Sequence, residues 1–530
     1  MSRSTRDFLL YQANQDPGLP RALPTTSFWQ VPPHPTLADK QSPQLPVNTD
    51  VAVIGSGITG CSVAKHILDI SSQLAGGAVT VTVLEARTLV SGATGRNGGL
   101  LTSFVPEEFG DLIENYGVDQ AVMMARFAKR NLERVHELAN SSPELREWSQ
   151  MRQLRDVVCF SSAEDFAAAK ESWSLYEEHV PEDKGKTEFL TAEEAAETYN
   201  VRASAGALTF PNGACWPYRL ITDTWSQLYE KYRSRLSIET KTPVENITYD
   251  GSDAAYPYIL HTPRGHVKAA NVIHATNGHA GHLLPSLRGC IYPLRGSMSV
   301  QKATPEFGHD GHELTWSMVN KQVYEPDTDV LEAGTYYAQQ NPITGDVFIG
   351  GEKTNARDFF VADDTAVNAH CQDNFTTLLP RYFVKGWSND SNRESGPEVR
   401  ATWTGIMGFT GDRLPLVGRL PASATQRGGG DDNDRYGGEW IAAGFNGYGM
   451  SLCWACGEAV ARMVLGQYVD DFLPAALVVT RERIEQPARR GALDAVLEMV
   501  DARGGMAIVE DDEMSGIPSS TLCVIFRPAD

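Results

Sequence analysis

The chain holds 530 residues, with a hydrophobic share of 42%, a charged share of 21% and a formal net charge of −21. A single hydrophobic core stops growing near roughly 250–300 residues, so two or three domains are expected, and the ordinary composition excludes disordered and fibrous classes. The acidic balance argues against a nucleic-acid partner, which needs a surplus of Lys and Arg on one face.

From the N-terminus, no run reaches the roughly 18 apolar residues of a membrane-spanning helix, and MSRSTRDFLLYQANQDPGLP lacks the pattern of a secretory signal. A cytoplasmic protein with no membrane partner is expected. The eight cysteines, at 61, 159, 215, 290, 371, 453, 456 and 523, fit reduced thiols. Cys453 and Cys456 form a CxxC without a second pair at zinc spacing, which reads as buried helix thiols, so no metal site is expected. Residues 1–49 carry PGLPRALP, VPPHP and SPQLP, a proline density that predicts an irregular, surface-draped leader.

From Asp50 the pattern is a strand at 51–54, a helix over about 58–70, a GG turn at 76–77 and a second strand, VTVTVLE, at 79–85. That is a βαβ unit. Within it, GSGITG places Gly55, Gly57 and Gly60 at the dinucleotide fingerprint, flanked by Ser56, Ile58 and Thr59. The first glycine permits the sharp turn, the second admits a pyrophosphate, and the third lets helix and strand pack closely. Glu85 closes the second strand, followed by Ala86 and Arg87. An acid there accepts hydrogen bonds from ribose hydroxyls and disfavours the 2′-phosphate of NADP.

Further along, AVMMARFAKRNLERVHELA (121–139) and TAEEAAETYN (191–200) have helical spacing, with Thr191 and Glu194 as a capping box, and read as surface helices. Residues 205–300 return to α/β signals, and 292–360 are strand-rich, marked by TYYAQQ and GDVFIGGE. The polar stretch RGGGDDNDRYGG (427–438) reads as a loop between LPLVG (414–418) and the strand EWIAAG (439–444). Beyond 485 lie one helical pattern, RRGALDAVLEMVDA, and the acidic VEDDE.

The stretch SGATGRNGGLL (91–101) is rich in small residues, namely Gly92, Ala93, Thr94, Gly98 and Gly99, around Arg96, Asn97 and Leu100. Such chain passes close to a large flat ligand, which a simple nicotinamide domain does not require. Here the sequence resembles the D-amino-acid oxidase-like (DAO) family of FAD-dependent oxidoreductases, and GRNGG its gamma-glutamylputrescine oxidase-like branch. The leader's SFWQVPPHP and the acidic tail look like fungal members. The resemblance continues through GALTFPNGACWPYRL (206–220) and TPVENI (242–247), where it implies a strand meeting adenine at Val244. HATNGHAGHLLPSL (274–287) is similar to the turn beneath the cofactor, with Ala275, Thr276, Asn277 and Gly278. IYPLRGSM (291–298) resembles a Pro-x-Arg-Gly-Gln-Met segment, with Ser297 in place of the Gln. RATWTGIMGFTGDRLPLVG (400–418), with Gly411 and Asp412, and AAGFNGYGMSLCWACGEAVA (442–461) look like cofactor-closing segments. In the second, Gly444, Asn446, Gly447, Tyr448 and Gly449 form a turn into a helix from Met450, whose positive end faces the ligand.

The resemblance implies an α/β (α+β two-domain) chain, a Rossmann-like FAD-binding domain with a second, mixed-sheet substrate domain. The FAD-binding parts would be 50–105, 206–290 and 399–465. A helical insertion (106–205) and a substrate-domain sheet (291–398) would lie between them, with a tail at 466–530. It also implies an enzyme that oxidises a C–N bond of a small amine or amino-acid-like substrate by hydride transfer to flavin N5, with O2 as acceptor giving an imine and H2O2. The alternatives are a dehydrogenase with another acceptor and a catalytically inactive flavin-binding sensor. Tyr336, Tyr337, Trp403 and Tyr448 are candidate walls of the substrate site, and Arg295 either binds a substrate carboxylate or fixes a loop. His279 and His282 read as packing residues. No cysteine stands in TWTGIMG (402–408), where one branch attaches FAD, so noncovalent FAD is expected. Phe348 and Glu352 stand where that branch has an oxygen-activating lysine and a histidine, leaving Lys321 and Lys353 as substitutes.

Overall fold

The computed structural model describes residues 3–74, 79–387, 397–427 and 437–485. The GG turn at 76–77, most of the 427–438 loop, the tail beyond 485 and Cys523 lie outside them.

The strand Asn48–Ile54 holds the run VAVI, buried at every position. A strand buried on both faces belongs inside a parallel sheet, and it pairs in parallel with Val81–Leu84 on one side and Gly265–His274 on the other. Leu236–Glu239 extends the sheet beyond the first, and Gly438–Ala443 then antiparallel Leu416–Arg419 beyond the second. The antiparallel strands Tyr258–Thr262 and Asn246–Tyr249 continue from Gly265–His274. Ile58–Ser71 and Gly449–Val464 are buried on most of their surface, as expected of helices covered by a sheet and by each other. Ser62 Oγ donates to the Trp454 carbonyl at 2.5 Å, across the place where any Cβ on Gly457 would collide.

The second sheet runs in the order Val399–Thr410, Ile291–Gln301, Val347–Gly350, Thr335–Gln340, Leu314–Val319, Arg152–Phe160, Gly206–Ala214, Glu188–Leu190. Its pairs are antiparallel except Leu314–Val319 with Arg152–Phe160. The predicted α/β chain with a Rossmann-like sheet and a second mixed sheet is the observed architecture. The strand Arg152–Phe160 falls inside the stretch read as helical. The helix Val118–Ala139 is no mere surface helix, because Asn131 is buried beneath the closing helix. Its Nδ2 donates to the Met450 carbonyl at 2.9 Å, and its Oδ1 accepts from Ala455 N at 3.0 Å. The capping box at Thr191 and Glu194 is formed. The seven described cysteines are free and buried. No described helix is long and apolar enough to cross a membrane.

The leader departs most from its reading. A helix spans Arg3–Ala13 and buries Leu9 and Ala13. Further on, Trp29 is 2% exposed. Its ring stacks on Phe348 with centroids 4.0 Å apart and meets Trp216 edge-on at 5.1 Å. Its Nε1 donates to the Asn97 carbonyl at 2.6 Å. Prolines make this backbone irregular, but they leave its aromatic side chains free to bury. Truncating a buried Trp costs about 3–5 kcal/mol. Trp29→Ala should therefore lower the unfolding free energy from denaturant titration by that order, and an unchanged value would show this packing to be dispensable.

Candidate active site

A cavity of about 360 Å³ opens between the two sheets. On the first sheet its wall is the fingerprint turn. Gly55 has φ +106°, and a Cβ there would stand 2.6 Å from the Ala275 carbonyl oxygen. A Cβ on Gly60 would stand 2.0 Å from Gly55 O, so the third glycine serves helix-to-strand packing behind the wall. Gly57 supplies no side-chain cap to the helix that follows, and Thr94 Oγ1 accepts from Ile58 N at 3.0 Å; the first turn lies in the cavity wall with its positive end toward the cavity. Glu85 Oε2 accepts from Ser56 N at 3.0 Å and Ser56 Oγ at 2.7 Å, and its Oε1 accepts from Arg87 N at 2.9 Å. The acid thus fixes the turn and lies in the wall.

Of the predicted cofactor residues, 55–59, 85–87, 92–94, 96–100, 244, 275–277 and 447–450 line the cavity. Gly60, Gly278, Gly411, Asp412, Gly444 and Asn446 do not. Asp412 is ion-paired to Arg483 at 2.9 Å, which turns it and Gly411 outward. Asn446 Oδ1 accepts from Thr410 N at 2.8 Å, and Gly444 N donates to Asn277 Oδ1 at 3.0 Å, so both shape the closing turn. Gly278 packs on the Met407 carbonyl. Val244 reaches the wall from a loop, because the strand begins only at Asn246.

Arg96 is held by carbonyls. Its Nε donates to Ser91 O and its Nη1 to Thr25 O and Thr404 O, each at 2.8 Å. Burial and the neighbouring Arg87 charge lower its pKa to about 10. Arg87 pairs with Asp364 at 2.8 Å.

The second sheet builds the opposite wall. Successive strand residues face opposite sides, so Tyr337 faces the cavity and Tyr336 does not. The Tyr336 hydroxyl donates to Glu332 at 2.7 Å and accepts from Asn374 at 2.8 Å, within the other core. Trp403 is also withdrawn: it is fully buried and its Nε1 donates to the Arg96 carbonyl at 2.8 Å. Arg295 stays behind the wall, 3.7 Å from Asp358 and 3.5 Å from the Asp363 carbonyl. Tyr448 lines the cavity and packs on Phe104. Lys321 and Lys353 are spent on Glu164 and Glu332 and are not in the wall.

Sequence reasoning missed three contributions. Gly18, Leu19 and Pro20 of the leader join the wall, with Gly18 O accepting from His279 Nδ1 at 3.0 Å. His279 lines the cavity, and burial lowers its pKa to about 4, so the ring is neutral. Asp156 and Glu352 are buried acids in the second-sheet wall. Burial raises Asp156 to about 6, against the opposing bonds from Ser317 and Thr315. Burial raises Glu352 to about 7, countered by Ser297 and by the Arg295 charge. The readable signal was an acid amid apolar neighbours, in RDVVCF and at the end of VFIGGE.

The wall suits the cofactor that the fingerprint implies. It combines a helix N-terminus, the acid at the second strand and the buried Thr276 Oγ1, which has no hydrogen-bond partner among the described residues. Gly98 adds room, since a Cβ there would stand 2.6 Å from the Tyr337 ring. A nucleotide-binding oxidoreductase is the class this fold and site define. Residues 50–463 match the family described as DAO, FAD dependent oxidoreductase, and the chain belongs to it. The chain is 24% identical to gamma-glutamylputrescine oxidoreductase of Escherichia coli (strain K12) over 430 residues, 79% of this chain and 84% of that protein. Glycine oxidase from Geobacillus kaustophilus superposes with a TM-score of 0.59 at 20% identity, covering 82% of this chain and 99% of that one. L-proline dehydrogenase from P. horikoshii gives 0.55 at 21%, covering 80% and 95%.

The raised pKa of Glu352 has a consequence for stability. Above its ordinary value of 4.5 the unfolded chain sheds a proton that the folded chain keeps, so stability falls as pH rises to about 7 and levels off beyond. Glu352→Gln removes that loss. The variant should exceed the wild type by up to about 3 kcal/mol at pH 8, with the gap closing below pH 4.5. Urea titrations across that range would detect it, and a pH-independent gap would contradict a titrating buried carboxyl.

Proposed function

We propose that this chain holds FAD noncovalently and oxidises a C–N bond of an amine or amino-acid-like substrate, with O2 as the acceptor. The observation that carries this reading is one cavity lined both by the fingerprint turn and by the buried acids and tyrosine of the second sheet. Bound there, FAD supplies the two-electron acceptor for a C–H hydride. The helix N-terminus at Gly57 would hold the pyrophosphate, Glu85 the ribose hydroxyls and Val244 the adenine. The helix from Gly449, likewise without a side-chain cap, would direct its positive end at the flavin N1–C2=O edge.

Noncovalent attachment is supported by the thiols. Among the described cysteines only Cys453 lines the cavity, and burial pushes its pKa up to about 12, so it is no nucleophile at neutral pH. Tyr337 and Tyr448 would wall the substrate, excluding water and favouring a neutral amine. The named activity of the Escherichia coli relative on gamma-glutamylputrescine supports an amine substrate. Glycine oxidase and L-proline dehydrogenase share the fold, so the acceptor is set by local residues.

The purified protein should be yellow, and acid precipitation should leave the colour in solution; colour retained on the protein would refute noncovalent binding. Anaerobic amine should bleach it, with rapid recolouring in air for O2 as acceptor and slow recolouring for a dehydrogenase. A Cβ on Gly57 would stand 3.0 Å from Thr94 Oγ1, and the two γ-methyls of Val would enter the cavity. Gly57→Val should therefore abolish flavin content while the chain stays folded by circular dichroism. Full flavin content in that variant would remove the fingerprint from the binding site.

A further inference from the structure

The second-sheet end of the cavity is acidic, and its nearest cations are committed elsewhere. Asp156 is satisfied, accepting from Thr315 Oγ1 and Ser317 Oγ at 2.9 Å each. Glu352 is not. It is 4% exposed and lines the cavity, and neither carboxylate oxygen completes a hydrogen bond among the described residues, although the Ser297 backbone and hydroxyl lie near enough to favour its charge. Buried polar atoms are almost always paired, so an unpaired carboxyl in a cavity wall marks a place where a ligand supplies the donors.

The groups around Glu352 indicate which ligand. Arg295 and Ser297 come from the strand Ile291–Gln301, Tyr337 from Thr335–Gln340, Cys371 from the helix Ala369–Tyr382, and Asp358 from the turn Ala356–Asp358. Arg295 meets Asp358 at 3.7 Å and lies outside the cavity wall, its Nε without a partner among the described residues, and Lys353, next in the chain, is paired with Glu332 at 3.2 Å. The basic side chains of the cavity wall belong to segments 85–97 and 275–282. There they are bonded to Asp364, Asp16 and backbone carbonyls. A carboxylate entering beside Glu352 would meet like charge, with no cation in that part of the wall; the neighbouring Arg295 stands behind it. An ammonium would find up to three acceptors: the two Glu352 oxygens and Ser297 Oγ.

We propose that Glu352 receives the protonated nitrogen of the substrate, and that the site selects amines lacking a carboxylate on the carbon beside that nitrogen. The proposal rests on the reading of the chain as an amine-oxidising flavoenzyme and names its substrate class. It also assigns a route for the proton an amine must lose before oxidation. An N–H bond of the ammonium breaks, an O–H bond forms at Glu352, and the ion pair becomes a neutral amine beside a carboxylic acid.

Three matched pairs test this on the holoenzyme: n-butylamine with norvaline, 2-phenylethylamine with phenylalanine, and pyrrolidine with proline. Within each pair the second compound adds only an α-carboxylate. Ligand-induced rise in melting temperature and the concentration dependence of anaerobic bleaching give Kd separately from the limiting rate. In at least one pair the amine should bind at least about tenfold more tightly than its amino acid. Glu352→Gln should weaken that amine at least about tenfold, through loss of a charge-assisted hydrogen bond, with flavin content unchanged. Because this variant keeps the shape of the side chain and sheds a buried charge, retained flavin and a melting temperature no lower than that of the wild type certify its fold. Tighter binding of the amino acids, lost in Arg295→Met, would overturn the proposal and leave amine or amino-acid oxidation standing. An amine affinity unchanged in Glu352→Gln would do the same. Failure of all six compounds to bind or bleach would overturn the flavoenzyme reading with it.

Discussion

Two indole N–H groups hold the loop that the cavity depends on. Trp29, from the leader, donates to the Asn97 carbonyl, and Trp403, from a strand of the second sheet, donates to that of Arg96. The stretch SGATGRNGG has almost no side chains with which to anchor itself, which suits it to lie against a flat ligand and deprives it of its own packing. The anchors must therefore come from outside. Phe348 stacks under Trp29 and Trp216 returns a hydrogen bond to the Trp29 carbonyl; from within the loop, the Arg96 guanidinium adds bonds to its own Ser91 carbonyl and to the distant carbonyls of Thr25 and Thr404. A mobile-looking segment is in this way fixed on both sides of the cavity wall.

This arrangement also explains Phe348. The space above the residue is taken by an indole packed flat at 4.0 Å, which makes this part of the sheet an apolar block. The carboxyls in the second-sheet wall of the cavity are Asp156 and Glu352, where burial opposes their charge. A carboxyl kept in such a setting costs stability, and strain of this kind concentrates where a ligand repays it.

The first sheet was legible because its signals are local. The run VAVI, the glycines at 55, 57 and 60 and the acid at 85 each follow from neighbours within a few residues, and the structure forms the strand, turn and helix they imply. The aromatic assignments divided along strand geometry. Tyr336 and Tyr337 are indistinguishable by composition, and only pairing register decides which faces the cavity; Ser317 opposes Tyr337 across the sheet and shares its wall. Trp403 was placed near the right loop but on its outer side. The leader was misread because proline reports backbone irregularity and says nothing of where an indole goes.

Long-range assembly accounts for what remained hidden. The cavity draws its wall from the leader, the fingerprint, the 275–282 turn, the second sheet and the closing helix, whose first residues lie nearly four hundred positions from Gly55. Asn131 ties the closing helix from a third part of the chain, bonding Met450 and Ala455 on either side of one helical turn. Such a site cannot form piecemeal. Each segment supplies a single wall and has its buried polar groups satisfied only when the others are in place, so site and fold share one cooperative unit. Glu352 and Thr276 are exceptions in the wall, for their buried side-chain oxygens are not completed by any of the described residues.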